Sequence, residues 1–454
     1  MRAHKEDVQM KAMINGEVRH YVTRNVIATL GLSLYVIIDT LFISIAAGAL
    51  GLATLNIVLP IFSIFNATGL LLGVGGATIF SLNKVLHPEK VKDLFSQLIT
   101  FAALFGTVVA ILLVTFAHPV VDFLGADDQT RQMAMIYLRI AAWSGPFYMC
   151  SYICVNFIRN DNNPTLTMKA TLTETLSVIA IDWFFIFGCG LKIEGAALAV
   201  LFSPVISLLV LTRHRKFPGR QLTLHWQLPN LKTVGRAASL GTASALNELS
   251  NGVSIYFFNH VLLQLANNYA VAAYGVISNI AIVVLAISNG VALGVQPIAS
   301  REFGEGHFAN VRQALKRGIQ ITLSLAVINF IILITFKMPI IDLFNTEHSS
   351  QLAAYASTGL PIYFTGIFFI ALNLMMILFL TAINMARASF TLSLLRGYLI
   401  LLPAILIMAK LFGINGVWAA VPFTEIVVFI LATIVVTQQI KKWNSEVELW
   451  PNPG

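Results

Sequence analysis

Apolar runs of about twenty residues or more, nearly free of charge, recur along this chain between residues 24 and 440. About twenty mainly apolar residues make one helical crossing of a bilayer core. In lipid every backbone polar group has to be satisfied within the protein, which leaves helices or closed barrels as the spanning structures. Runs of this length select helices. Their spacing predicts spans at 24–47, 51–82, 94–117, 133–158, 166–190 and 194–212, and then at 236–266, 270–300, 312–336, 352–383, 389–412 and 416–440. Composition excludes the alternatives. The chain is 57% hydrophobic and 11% charged, whereas soluble domains run at about 45–50% apolar and about 25% charged. With a mean hydropathy of +0.79, too few polar side chains exist to clothe soluble domains. A soluble enzyme, a nucleic-acid binder and a disordered chain are excluded. The expected fold is an all-α polytopic membrane protein with twelve transmembrane helices in two pseudo-symmetric six-helix bundles.

The formal charge of +8 anchors loops in such a chain. Assigning Lys and Arg to alternate sides puts 24 on one side and 5 on the other. The heavier side includes Lys84, Lys90 and Lys92, the cluster from Arg213 to Arg236, and Lys441 and Lys442. Cytoplasmic loops carry the excess of Lys and Arg, so both termini are expected in the cytoplasm. The first twenty residues hold no apolar core with a small-residue cleavage site, so no removable signal peptide is expected.

The polar stretch at 213–235 divides the chain, and the halves resemble each other. Gly69–Ala77 (GLLLGVGGA) matches Gly290–Ile298 (GVALGVQPI) at a numbering offset of 221, and Ile193–Ala199 (IEGAALA) matches Ile414–Ala420 (INGVWAA) at the same offset. Ala49–Leu55 pairs with Ala270–Val276 at 221, and Val120–Leu124 with Ile340–Phe344 at 220. The expected organisation is a cytoplasmic segment 1–23, a six-helix lobe 24–212, a cytoplasmic linker 213–235, a second lobe 236–440 and a tail 441–454. Six helices per half make these parallel repeats, an architecture of secondary transporters in which two lobes enclose a central cavity and rock to open it to either side. No GxxxxGK[ST] motif offers a nucleotide site. The glycine-rich patch at Gly69, Gly73, Gly75 and Gly76 lies inside an apolar helix, where small residues permit close helix contact.

A carboxylate at mid-membrane is costly and a functional candidate by default. Asp39, in YVIIDTLFI, lies about 15 residues, or roughly 22 Å, into span 1, and Asp182, in VIAIDWFFIF, about 16 residues, or roughly 24 Å, into span 5. Equal depth allows the two to meet. Burial and repulsion then make one or both able to take a proton near neutral pH, while a carboxylate pair could instead hold Na⁺. Glu174 on span 5 and Glu248 on span 7 are further acidic candidates, for an entrance or substrate contact. Asn66 and Asn156 could bind an ion or substrate or merely bridge helices. Tyr35, Tyr152 and Trp183 offer aromatic walls for a flat organic cation, though such residues also serve as packing or interface anchors. Glu425 is read as a link between helices, Arg396 as a snorkelling anchor, and His260, at offset 221 from Asp39, as a structural residue. Cys150, Cys154 and Cys189 fall in apolar runs without metal or redox spacing and are read as small buried residues.

The motifs combine into a resemblance. IIDTLFI followed by GLATLNIVLP, then GLLLGVGGATIFS, NNYAVAAYGVISNI and GVALGVQPIASREFGEG, resemble the multidrug and toxic compound extrusion (MATE) family, in its bacterial DinF-like branch, over nearly the whole chain. The resemblance implies a bacterial inner-membrane exporter of amphipathic, often cationic, drugs driven by inward H⁺ or Na⁺, with the family's acidic residues of helices 1 and 5 at Asp39 and Asp182. The chain departs from the pattern at Val178, where some relatives carry Asn, and in lacking any Asp or Glu across 355–383, where another branch has a helix-10 carboxylate. Both departures favour H⁺ over Na⁺. No cofactor and no resident metal are expected, and the expected state is a monomer. The competing reading is a flippase for lipid-linked oligosaccharides, which would call for basic residues in the cavity where this chain has mostly acidic ones. No HExxH or GxSxG motif suggests an enzyme.

Overall fold

The computed structural model describes the backbone of residues 2–83 and 93–449, with side chains for all of these except 2–11, 28, 31, 32, 34–36, 82, 243, 247 and 444–449. The side chain of Tyr35 and the expected loop cations Lys84, Lys90 and Lys92 lie outside the described residues. Among the described residues the structure is helical throughout, without a strand. Helix α1 (2–47) passes into α2 (49–83) at Gly48, whose φ of 61° interrupts the helical run. Next come α3 (Leu94–Thr115), the short α4 (Ala117–Phe123) and α5 (131–160), which carries a 3₁₀ turn at Ala142–Ser144. Helix α6 (Pro164–Gly188) ends in a π-helical turn from Trp183. Helix α7 (Lys192–Leu211) ends in a 3₁₀ turn, Thr212–Lys216.

The second half repeats this plan. It contains α8 (Leu231–Leu265), α9 (Asn268–Gly304), α10 (Phe308–Thr335), the short α11 (Lys337–Phe344) and α12 (350–382), which bends by 46° between Ser350–Phe364 and Ile367–Ala382. Helices α13 (386–412) and α14 (414–449) are separated by a second break at Gly413, φ 59°. Removing α4 and α11, which are too short to span, leaves twelve membrane helices among the described residues. The two interhelix breaks fall where the sequence predicted them, between 47 and 51 and between 412 and 416. Both are Gly with positive φ, which other residues adopt at a steric cost.

The duplication is visible in the backbone. Short helices α4 and α11 follow the third span of each half. Asn162 and Asn384, at an offset of 222, both have φ of 61° in the turn after the fourth span. Asn tolerates the left-handed region better than most residues, and each repeat places one there.

Packing divides the chain into two compact units. One comprises 35–275 with 343–352, the other 1–34, 276–342 and 353–454. In the first, a core of Phe65, Tyr137, Phe157, Leu98 and their neighbours fills the space between helices. Here the glycine patch acts as a contact surface. A Cβ on Gly75 would lie 1.8 Å from the Ala237 carbonyl oxygen, and one on Gly241 1.9 Å from that of Leu71, so α2 and α8 touch backbone to backbone. The α1–α2 break is held by the turn after α11. Ser44 donates its hydroxyl to the Phe344 carbonyl, Thr346 returns one to the Ser44 carbonyl at 2.8 Å, and the Ala49 N–H donates to Glu347 Oε2 at 3.2 Å. In the other unit a separate core gathers Val291, Val295, Met375, Phe379 and Trp443. There the first turns of α1 lie on α9, where Thr29 Oγ1 donates to the Ala286 carbonyl at 2.7 Å.

Candidate functional site

Asp39 and Asp182 meet side chain to side chain, on α1 and α6. Asp182 is fully buried, and both its oxygens, with Oδ1 of Asp39, are closed to solvent without a hydrogen-bond partner. Two ionised carboxylates are acceptors only, so no bond can join them while both are charged. A proton or cation between them would satisfy both. The position follows from local structure. Asp182 is the last α-helical residue before the π turn Trp183–Gly188, an irregularity common at functional sites. Farther along, Phe42, three residues after Asp39, meets Phe187 edge to face with ring centroids 5.2 Å apart, closing the pair on that side with apolar rings.

Sequence reading missed Tyr137. Its fully buried ring on α5 lies within electrostatic range of both carboxyls. Depth would have found it. Tyr137 is six residues, about 9 Å, from the start of α5 at Arg131, and Asp182 is six residues from the end of α6 at Gly188.

A second polar region lies within the same packing unit. Asn66 on α2 donates from Nδ2 to Glu248 Oε1 on α8 at 3.3 Å, so two sequence candidates share one contact. Tyr152 lies against the α2 glycines, its Cβ 2.8 Å from where a Cβ on Gly69 would stand, and Asn156 Nδ2 is 3.1 Å from the equivalent point on Gly73. Asn156 also donates to the Tyr152 carbonyl at 2.8 Å. Glu174 accepts from Ser207, which accepts from Ser151 at 3.2 Å, forming a polar chain across α6, α7 and α5. The two serines were not candidates, and a hydroxyl in an apolar run gives little signal.

Several expectations are corrected. Trp183 does not join its neighbour Asp182. The carboxyl is fully buried while the indole is 59% exposed, because consecutive helical residues point about 100° apart. Arg396 does not snorkel. Its Nε donates to Glu425 Oε1, while Asn373 Nδ2 donates to Glu425 Oε2 at 2.7 Å and to its carbonyl at 2.8 Å. A carboxylate on a neighbouring helix is a nearer partner than the interface. Glu425 is thus the interhelical link the sequence suggested. Cys150 is buried, but Cys154 is half-buried and Cys189 exposed, since Cys189 ends the π turn and precedes Gly190 at φ 69°. His260 bonds Gln264 at 2.8 Å and stacks on Tyr256.

A duplicated bundle of twelve membrane helices with a closed carboxyl pair in one half defines a polytopic membrane transporter. The MatE family model matches residues 26–184 and 243–407, and the chain belongs to that family, whose members are transporters rather than enzymes. Among curated proteins it is similar to the multidrug export protein MepA of Staphylococcus aureus, 24% identical over 94% of both chains, and to MepA of Staphylococcus saprophyticus, 23% identical over 94% of both. Among solved structures it superposes on the inward-facing conformation of a multidrug resistance MATE family transporter, with a TM-score of 0.82 at 18% identity, covering 91% of this chain and 96% of that one. The MATE multidrug transporter DinF-BH, solved in complex with a drug, superposes with a TM-score of 0.72 at 23% identity, over 93% and 95% of the two chains.

Proposed function

We propose that this protein is a proton-coupled multidrug exporter of the bacterial inner membrane, with both termini in the cytoplasm, moving amphipathic organic cations outward by alternating access. The observation that carries the coupling is the Asp39–Asp182 pair: three carboxyl oxygens closed to solvent with no donor in reach. An unpaired buried charge is severely penalised, so a pair of acceptors held together in this way calls for a positive partner. A proton serves with two oxygens. Sodium, a hard cation, takes a shell of several oxygens, and Val178, buried one turn before Asp182, supplies none. The relatives' names, multidrug export proteins, and the drug complex of a structural neighbour support the substrate class. Glu174 and Glu248 give acidic, cation-attracting character near Asn66, Tyr152 and Asn156. In the exchange, protonation of the pair accompanies release of cargo and its deprotonation accompanies loading.

The test is efflux from proteoliposomes loaded with ethidium under a proton gradient or a Na⁺ gradient, each imposed alone. Proton-driven efflux lost in Asp39→Asn and in Asp182→Asn is the expected result. Efflux driven by Na⁺ alone would overturn the choice of ion, and unaltered efflux in either variant would remove that residue from coupling. No cation movement under either gradient would refute export of this class.

A further inference from the structure

A cavity of about 260 Å³ opens between the first turn of α6 and the end of α7. Lys169, Arg213 and Lys216 stand around it, and Leu166, Phe217 and Pro218 provide an apolar floor. The three cations share one space for a geometric reason. Thr212–Lys216 is a 3₁₀ turn, in which residues three apart eclipse each other, so Arg213 and Lys216 are presented on one side. His214 points the other way, buried, with Nε2 2.8 Å from Asp161 Oδ2. That carboxylate is further committed to the backbone N–H groups of Gln221 and Leu222, at 3.0 and 3.2 Å. The nearest buried acid is therefore engaged on the far side of the turn. Among the described residues no carboxylate pairs with Lys169, Arg213 or Lys216.

The cavity lies at a membrane boundary. Pro164 opens one membrane-spanning stretch and Lys216 closes the next. Directly beyond it on α6, Met168, Leu172 and Leu176 are 57%, 44% and 65% exposed, at the four-residue spacing that lines one helix face. Leu209 on α7 is 62% exposed. Cations at the rim, an apolar floor, and an apolar stripe running toward the bilayer centre match the three parts of a phospholipid in order.

We propose that this cavity binds the phosphate of an anionic phospholipid, with its glycerol on Leu166, Phe217 and Pro218 and its acyl chains along the α6 stripe. Basic pockets between membrane helices on the cytoplasmic side bind such headgroups. Free phosphate shares the charge but has no use for the floor or the stripe. The site is independent of the carboxyl pair, and transport need not be known to test it.

The experiment uses the full chain in a neutral detergent, with phosphatidylglycerol binding followed by native mass spectrometry against phosphatidylcholine. Compared with wild type are Lys169→Gln/Arg213→Gln/Lys216→Gln and a charge-matched control, Arg220→Gln/Lys232→Gln/Arg236→Gln, whose positions are exposed and outside the cavity. Each cation near a lipid surface contributes about fivefold in affinity, so the cavity variant is expected to bind phosphatidylglycerol roughly a hundredfold more weakly, with the control near wild type. Lys169→Glu alone, one surface change, should weaken binding and guards against a misfolded triple variant. Equal binding by cavity variant and wild type would overturn the site. Equal loss in the control would make the attraction diffuse, and displacement of the lipid by millimolar inorganic phosphate would make the occupant a free anion. Either result refutes the proposal.

Discussion

Replacing Gly241 by Ala tests a helix contact made backbone to backbone. In an ordinary helix interior, Gly to Ala stabilises by about 0.5–1 kcal/mol because Gly loses more backbone freedom on folding. Here the added Cβ would stand 1.9 Å from the Leu71 carbonyl oxygen. Non-bonded contact optima lie near 3.5 Å, so α2 and α8 must part by about 1.5 Å at that point. The obstacle is backbone, which no rotamer change relieves. Overpacking of this kind costs about 1–3 kcal/mol, which exceeds the propensity gain and reverses the sign, leaving a net loss of about 0.5–2 kcal/mol. The displacement also reaches Glu248, seven residues along α8, whose contact with Asn66 is 3.3 Å long. Lengthening that contact by the same displacement takes it beyond hydrogen-bond range.

The same helix supplies the control. Gly235, six residues earlier, has nothing within 4 Å of the point where a Cβ would stand, so Gly235→Ala should gain only the propensity term. Thermal unfolding of purified protein, followed by intrinsic fluorescence, should show Gly241→Ala melting below wild type and Gly235→Ala at or above it. Gly75→Ala, whose Cβ would stand 1.8 Å from the Ala237 carbonyl oxygen, should follow Gly241→Ala. If all three shift Tm upward, the backbone contact between α2 and α8 does not exist.

Other outcomes follow from single contacts. Arg396→Gln leaves Glu425 buried with only Asn373 beside it, and breaking one side of a buried ion pair costs about 3–5 kcal/mol. The double change Arg396→Met/Glu425→Met should therefore melt higher than Arg396→Gln, and the opposite order would show the pair to be solvated. Asp161→Ala strips His214 and two backbone N–H groups of their acceptor, each buried loss worth about 1–3 kcal/mol. Trypsin should then cut faster at Arg213–Arg220, and wild-type cleavage would refute the latch. Asp127, in the turn before α5, is pushed up by partial burial but more strongly held down by bonds from Thr130, Asn268 and the Gln129 N–H, so its carboxyl titrates below the usual 3.8. A depressed carboxylate stabilises the fold above its unfolded value and loses that contribution as pH falls through its folded one. Acid should therefore lower Tm below about pH 4 less steeply in Asp127→Asn than in wild type, and identical acid profiles would refute this.

The spans, their breaks and the pairing of Asp39 with Asp182 were legible because each rests on one-dimensional quantities: apolar run length, Gly position, and residues counted from a helix end. Tyr137 was legible by that same count, but a tyrosine in an apolar run carries no penalty that draws the eye, whereas a carboxylate does. Trp183 and Arg396 went astray for a different reason. Sequence gives depth but not azimuth, and which way a side chain faces depends on neighbouring helices that only the fold supplies. Arg396 in particular was read by its own reach, without the Glu425 that the next helix brings against it. Cys189 shows the converse: an apolar neighbourhood in sequence became a turn because a π bulge and Gly190 end the helix there.

The repeat explains where chemistry was placed and where it was not. Position 39 corresponds to His260 and position 182 to Pro403 at the offset of 221, so the second half inherited the scaffold without the carboxyl pair. What it holds instead is Glu425 with Arg396 and Asn373, an acid whose charge is already cancelled and whose oxygens already have donors. A site that is satisfied in the resting protein has little to gain from a proton, while Asp39 and Asp182 have acceptors and no donor. Duplication makes two lobes able to move alike. On the proposed coupling, the unequal distribution of satisfied and unsatisfied carboxylates lets one lobe answer to a cation, and the gradient of that cation then sets the direction of exchange.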